Sequence, residues 1–573
     1  MDLSSLNDNQ YKAVQTTEGP LLVLAGAGSG KTRVLTYRIA HLIKNCGVAP
    51  WEILAITFTN KAAEEMRQRL ETLIGPVARR MWVSTFHSMC VRILRNDAHR
   101  LGFSDNFSIC DADDSKKLIK ECMNDLEINP ARIPVNSVLN FISKAKNELK
   151  IPSTYAIDKN ASTNDSLMLK IYEAYQEKLH AQQSMDFDDL LLYTYLLFKQ
   201  FPEVLSAYRE RFVYILVDEY QDTNHAQYVL VKMLGSAYQN VMVVGDDDQS
   251  IYSWRGADIR NILEFERDYP QANVVKLEEN YRSVGNILAA ANAVIKNNFN
   301  RKAKTLFTSA ESGEKIHVYV ASDERDEGRW IAGETEKRHT AGLAYNDFAV
   351  FYRTNAQSRI LEDMMIRAGI PYRIVGGTKF FERAEIKDIM AYLSLAVNPY
   401  DDMSAHRVIN TPRRGIGDSS VKEIDALCAK ERIPFIQACH IILESHDSAR
   451  FKPKTALERF VSLMDEVSQM SGSLRTIVEF VLEQSGMLDA YEREGTEDAK
   501  SRIENLNEFL GVVDEYVLSH TDEEIFAAPE AEFEGDTRFE DLMANEALNP
   551  GFEEKADAEI LFRPIQTPEP AQT

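Results

Sequence analysis

The string AGAGSGKT, residues 25–32, follows the apolar run LLVLA (Leu21–Ala25) and opens a helix-forming stretch, and no other feature limits the fold of this chain as tightly. A glycine-rich turn between a strand and a helix lets backbone N–H groups converge on phosphate oxygens, and the helix N-terminus adds partial positive charge. The N–H groups of Ala25, Gly26, Ala27, Gly28, Ser29 and Gly30 are therefore candidate phosphate donors. Lys31 supplies a point charge to the β- and γ-phosphates of a nucleotide, and the Thr32 hydroxyl is placed to hold Mg2+. A buried parallel strand leading into such a loop predicts an α/β chain.

Binding phosphate does not hydrolyse it. Hydrolysis needs a second metal ligand and a group that polarises water, and ILVDEYQDT (residues 215–223) offers both at the end of an apolar strand. Asp218 is the candidate metal ligand and Glu219 the candidate base. A third apolar run ends in VVGDDDQSIYSWRG (residues 243–256). There the Gln249 amide can reach a γ-phosphate, while Tyr252, Trp254 and Arg255 supply two aromatic faces and a cation on which nucleic-acid bases stack without sequence preference.

Around these motifs the first hundred residues alternate strand-like and helical patterns, and strand-like runs return at 214–219, 241–246 and 274–279. This rhythm predicts a parallel sheet covered by helices. The interval 111–186 is helical and polar, so the first domain is expected to comprise 1–110 and 187–276 with a helical insertion between. A second α/β rhythm, with strands expected at Lys315–Ala321, Phe348–Arg353 and Tyr372–Gly377, occupies 277–382. A helical domain over 383–520 contains the turn TPRRGIGDS, and an acidic tail over 521–573 reads as disordered.

The net charge of −23 runs against the Lys- and Arg-driven neutralisation that nucleic acids require. It is unevenly placed, because residues 521–573 hold 15 Asp and Glu against 3 Lys and Arg. Steering depends on the local field, so a basic groove elsewhere remains open. The six cysteines lack metal-ligand spacing and read as reduced thiols. No run approaches a membrane span, and the first residues lack a secretory pattern, which makes the cytoplasm the expected compartment.

The ordered motifs LNDNQ (6–10), the phosphate loop, TFTNKAAEEM (57–66), STFHS (84–88), MDFDDL (185–190), VDEYQDT, VGDDDQSIYSWRGA (244–257), LEENYRS (277–283) and YRTNAQSR (352–359) resemble those of UvrD-like superfamily 1 DNA helicases. NTPRRGIG (410–417) extends the likeness into the helical region. The resemblance implies a P-loop NTPase with two RecA-like motor domains, each carrying a helical insertion, that uses ATP and Mg2+ to move 3′ to 5′ along single-stranded DNA. It assigns the adenine edge to Gln10, the adenine faces to Arg33 and Tyr281, and an arginine finger to Arg282. It places Phe58, Thr85, His87, Phe187, Tyr252, Trp254 and Arg353 along the DNA track, beside which the cation Arg255 lies. The backbone amides of the turn at Gly415 and Gly417 would hold duplex phosphates at a single/double-strand junction, although a plain helix–helix turn accounts for the same residues. Repair or transcription proteins are candidate partners, and no membrane is expected.

In one respect the chain departs from the family pattern. The family's last two motor motifs, of the forms TxHxxKGLE and VAxTRA, do not occur in it. The second motor domain is therefore expected to be incomplete, with unpaired strand edges. The competing expectation is a non-catalytic ATP- and DNA-binding fragment, or half of a split motor.

Overall fold

The computed structural model describes residues 1–155, 163–253, 256–298, 301–302, 304–354, 357–374, 380–445 and 451–525. Its centre is a six-stranded parallel sheet built from β1 (Leu21–Ala25), β2 (Ile53–Thr57), β3 (Trp82–Thr85), β6 (Tyr214–Val217), β7 (Val241–Gly245) and β8 (Asn273–Leu277), in the order β3-β2-β6-β7-β1-β8. In β1, which is paired on both sides, Val23 lies opposite Val244 of β7 and Val275 of β8. Strands buried on both faces must be apolar throughout, and β1, β2, β6 and β7 are buried at every position. Successive side chains serve opposite faces. Leu22, Leu24, Leu54 and Ile56 enter one core with Trp82 and Phe212, while Leu21, Val23, Ala25, Ile53 and Ala55 enter the other with Val34 and Leu35.

The insertion after β3 is helical, as expected, with helices Ala112–Asp125, Val135–Asn147 and Thr163–Ala181 around their own core of Leu118, Ile119, Ile142, Tyr172 and Tyr175. Its mouth is closed by two short parallel strands that the sequence did not announce, β4 (Ser108–Cys110) and β5 (Ser184–Asp186). Fully buried Lys146 lies 2.6 Å from Asp186 and 2.8 Å from Asp189, which fastens the insertion to the helix Phe187–Gln200 of the motor.

The second region departs from expectation. Lys315–Ala321 and Phe348–Arg353 join no strand ladder, nor do the described residues Tyr372–Ile374, while Val375–Gly377 lie outside the described residues. A strand exists only where a neighbour accepts its backbone hydrogen bonds, and no described segment does so here. Ile316, Val318, Val320 and Phe351 consequently stay in solvent, with Val318 at 84% and Phe351 at 93% exposure. The helices Glu324–Thr340 and Ser358–Ala368 pack on each other through Ala332 and Met365.

From Ala384 to Ile525 the described chain is helical around one core of Ile386, Tyr392, Phe435, Phe460 and Phe509. In the turn after Asn410, Ile416 is buried, while Gly415 (φ +81°) and Gly417 have open space where a side chain would stand. Gly417 starts the helix Asp418–Glu431. The acidic segment from residue 526 onward lies outside the described residues. No described helix is long and apolar enough to cross a membrane.

Candidate nucleotide site and nucleic-acid track

Ligands of open parallel sheets bind beyond the carboxyl ends of the strands. Here those ends divide the work, since β6, β7, β1 and β8 lie side by side at one end of the sheet and β3 and β2 at the other.

The loop after β1 is shaped for a polyanion. Gly28 (φ +67°) and Gly30 (φ +89°) adopt left-handed backbone that only glycine takes without strain. No side chain caps the helix Lys31–Lys44, which leaves its N-terminal amides for a ligand. The Ser29 hydroxyl donates to the Gly26 carbonyl at 2.7 Å and holds the loop closed. A Cβ at Gly26 would stand 2.0 Å from Leu306, and one at Gly28 would stand 2.6 Å from the Cβ of Arg282. Residues past β8 thus press onto the loop. The Asn280 amide donates to the Ala27 carbonyl at 2.5 Å and the Tyr281 N–H to the Gly28 carbonyl at 3.0 Å.

After β6, Lys31 Nζ donates to Glu219 Oε2 at 2.9 Å. Glu219 sits at φ 47°, ψ 43°, a left-handed conformation uncommon outside glycine and typical of functional strain. The Asp218 carboxyl is pushed up to about 7, first by burial and then by the Glu219 charge. A buried carboxylate held this far from its ordinary range, two strands from an uncapped phosphate loop, fits an oxygen-seeking dication held with Thr32. Gln249 Nε2 donates to Asp246 Oδ2 at 2.6 Å. Gln221, which sequence reasoning passed over, ties these parts together: its amide nitrogen donates to Glu219 Oε2 at 2.9 Å, and its oxygen accepts from the Asp246 N–H at 2.9 Å. Its place two residues after a catalytic glutamate was the available signal.

On the adenine side, Gln10 is buried and its amide spans the Asn7 N–H (3.2 Å) and the Ser29 carbonyl (3.0 Å). In this structure it braces the loop rather than presenting both groups outward. Arg33 donates to the Ser5 carbonyl at 3.1 Å, and the exposed Tyr281 hydroxyl donates to Glu279 at 2.7 Å. Arg282 is exposed beside Gly28.

At the other end of the sheet two aromatic pairs form. Phe58, after β2, meets Tyr252, after β7, with ring centroids 4.9 Å apart, and His87, after β3, meets Phe187, after β5, at 6.3 Å. All four side chains are half-buried, so each keeps an accessible edge or face. Burial lowers the His87 imidazole to about 4, which keeps it neutral near pH 7. Thr85, expected along the track, is buried and caps the following helix by accepting from the Ser88 N–H at 3.2 Å. The exposed Arg353 lies at a bend in the second region. Trp254 and Arg255 lie outside the described residues.

A parallel sheet with a phosphate loop, an acidic pair on the second strand along and an aromatic row beside it defines a nucleotide-driven P-loop protein. The comparisons narrow the class. The family model of the UvrD/REP helicase N-terminal domain matches residues 6–270, and that of the UvrD-like helicase C-terminal domain matches 275–560. An ATP-dependent DNA helicase PcrA of Bacillus subtilis (strain 168) is 48% identical over 528 residues, covering 92% of this chain and 71% of that protein. The PcrA of Staphylococcus aureus (strain Mu50 / ATCC 700699) is 48% identical over 519 residues, with 90% and 70% covered. This chain belongs to the UvrD/Rep helicase family. Because the C-terminal match runs well past the helical region, the reading as a non-catalytic fragment is not favoured.

Proposed function

We propose that this protein is an ATP-dependent DNA helicase that couples ATP hydrolysis to 3′-to-5′ movement on single-stranded DNA and opens single/double-strand junctions. The observation that carries the reading is the shared sheet, in which the loop after β7 holds Gln249 on the nucleotide side and Tyr252 against Phe58 on the track. In this reading residues 1–110 and 187–276 are the first motor and 111–186 its insertion. Residues 277–382 open the second motor, with 383–520 as its insertion.

The residues divide the chemistry as follows. The amides of the loop and Lys31 bind the phosphates, while Thr32 and Asp218 would hold Mg2+, which would supply positive charge to neutralise the phosphates. Lys31 is paired with Glu219 in this structure. When phosphate draws Lys31 away, Glu219 is released to orient water and accept its proton. Gln249 reports the γ-phosphate to the Tyr252 loop, and Arg282 stabilises charge on the transferred group. Bases stack along Phe58, His87, Phe187 and Tyr252, with Trp254, Arg255 and Arg353 continuing the track, and Gly415 and Gly417 offer backbone amides to duplex phosphates. A DNA substrate fits the cytoplasmic compartment expected from the sequence, and repair or transcription proteins remain candidate partners.

The test is steady-state ATP hydrolysis with and without oligo(dT), with Lys31→Ala and Glu219→Gln as controls. DNA stimulation that disappears in both variants supports the reading. Hydrolysis unchanged in Lys31→Ala overturns it.

A further inference from the structure

The helicase motifs account for Gln249 but leave the three carboxylates before it without a role. Carboxylate oxygens of Asp246, Asp247 and Asp248 lie within 4.8 Å of one another, and Asp246 and Asp247 are buried. Three like charges at that spacing, away from water, require a cation among them. The chain supplies one from a distant segment. The Lys304 ammonium, 2% exposed, lies 2.7 Å from Asp246 and 2.9 Å from Asp248 and also contacts Asp247. An ammonium has three donors, and here each meets a different carboxylate. Arg301 grips Asp248 with two bonds of 2.7 and 2.6 Å, and the Lys302 N–H donates to Asp247 at 2.7 Å.

The cluster leads directly to the catalytic loop. Asp246 shares one carboxylate between Lys304, through Oδ1, and the Gln249 amide, through Oδ2. Its N–H donates to Gln221, which in turn holds Glu219. The segment bearing Lys304 is the one that sets Leu306 against Gly26, and Phe307 pairs with Glu279 just ahead of Asn280 and Arg282. Lys304 therefore meets the loop after β7 from the same segment that presses on the phosphate loop.

Resting on the helicase reading, we propose that Lys304 is a positioning residue for hydrolysis: it acts as a built-in cation that fixes Asp246, and through it Gln249 and Gln221, beside the nucleotide site. Without its ammonium the three carboxylates form an oxygen-only site suited to a divalent metal.

The test measures oligo(dT)-stimulated hydrolysis by the full chain carrying Lys304→Met, Lys304→Met with Asp247→Asn, or Arg301→Gln, with Mn2+ binding to nucleotide-free protein followed by electron paramagnetic resonance. Lys304→Met is expected to lower kcat at least tenfold while KM for ATP moves less than threefold, and to gain one Mn2+ site that the parent lacks. Adding Asp247→Asn should remove that site and bring kcat within threefold of the parent. Arg301→Gln should lower kcat about threefold at unchanged KM, and it decides the matter if Lys304→Met does not fold. A kcat within twofold of the parent in Lys304→Met, or in Arg301→Gln where Lys304→Met fails to fold, overturns the inference. So does a loss of nucleotide affinity that matches the loss of rate. Lys31→Ala run alongside separates the two claims, since a dead Lys31→Ala with an intact Lys304→Met rejects only this inference.

Discussion

Substituting Lys146 by Met tests the joint between the helical insertion and the motor. Its ammonium is fully buried, 2.6 Å from Asp186 and 2.8 Å from Asp189, and Asp186 also accepts from the Tyr175 hydroxyl at 2.9 Å. Burial, and then Asp186, push Asp189 up to about 7, whereas Asp186 is held below its ordinary range despite its burial because Lys146 pairs with it. Removing the cation leaves one buried carboxylate ionised without a counter-charge, and breaking such a buried pair costs about 3–5 kcal/mol. At about 2–4 °C per kcal/mol for a domain of this size, the melting transition of the motor should fall by about 6–20 °C. Neutralising one carboxylate as well should recover much of that, so Lys146→Met with Asp189→Asn is expected to be more stable than Lys146→Met alone. Chemical and thermal denaturation followed by circular dichroism checks both. Asp186 also caps the helix that begins at Phe187, accepting from the Asp189 N–H at 2.9 Å, so affinity for single-stranded DNA should fall while nucleotide binding stays. A loss under 1 kcal/mol, or a double variant less stable than the single one, would refute the argument that the pair is a desolvated charge balance.

Phe58→Ala and Phe187→Ala should each weaken binding to oligo(dT) by about 1–3 kcal/mol, read by fluorescence anisotropy, with the salt dependence unchanged because no phosphate contact is lost. Burial depresses the His87 imidazole to about 4. The folded state then binds fewer protons than the unfolded one, so stability is lost as pH falls from about 6.5 towards 4, and His87→Asn should flatten that part of the denaturation profile. Val318→Asp should change stability by less than about 0.5 kcal/mol, since the side chain is already in solvent, and should lower aggregation measured by light scattering.

Residues that act within a few positions of one another were legible, and those that depend on distant partners were not. A strand, a glycine turn and a lysine are contiguous at 21–32, so the phosphate loop could be read and placed from the string alone. The acidic pair was legible for the same reason. The alternating apolar residues at Ile316, Val318 and Val320 carry a strand's local signature, yet pairing is a property of the neighbour, and no described segment offers one. Thr85, as the residue before a helix, also had a capping role available from sequence, which the family motif did not bring out. Gln221 and Lys304 were passed over because their meaning lies in contacts across the sheet ends, 25 and 58 residues from Asp246 by number. The net charge misled least once its placement was considered, because the proposed track rests on aromatic faces as well as cations.

The backbone at Glu219 permits a separate test of strain at the catalytic position. At φ 47°, ψ 43° a side chain with a Cβ is held where it costs about 1–2 kcal/mol, and glycine pays none of this. Glu219→Ala and Glu219→Gly remove the same carboxylate and the same pairing with Lys31, so neither should hydrolyse ATP, and the difference between them isolates the backbone. Glycine is ordinarily the less stable choice because its unfolded chain is freer, by about 0.5–1 kcal/mol against alanine in regular structure. Here the order should reverse, with Glu219→Gly more stable than Glu219→Ala by about 1 kcal/mol in urea denaturation. Equal stabilities would mean that the left-handed turn is not imposed by its surroundings. The expected reversal would mean that the fold retains the strain to aim residue 219 at the phosphate loop, since the turn fixes the direction of the carboxylate that meets Lys31 at 2.9 Å.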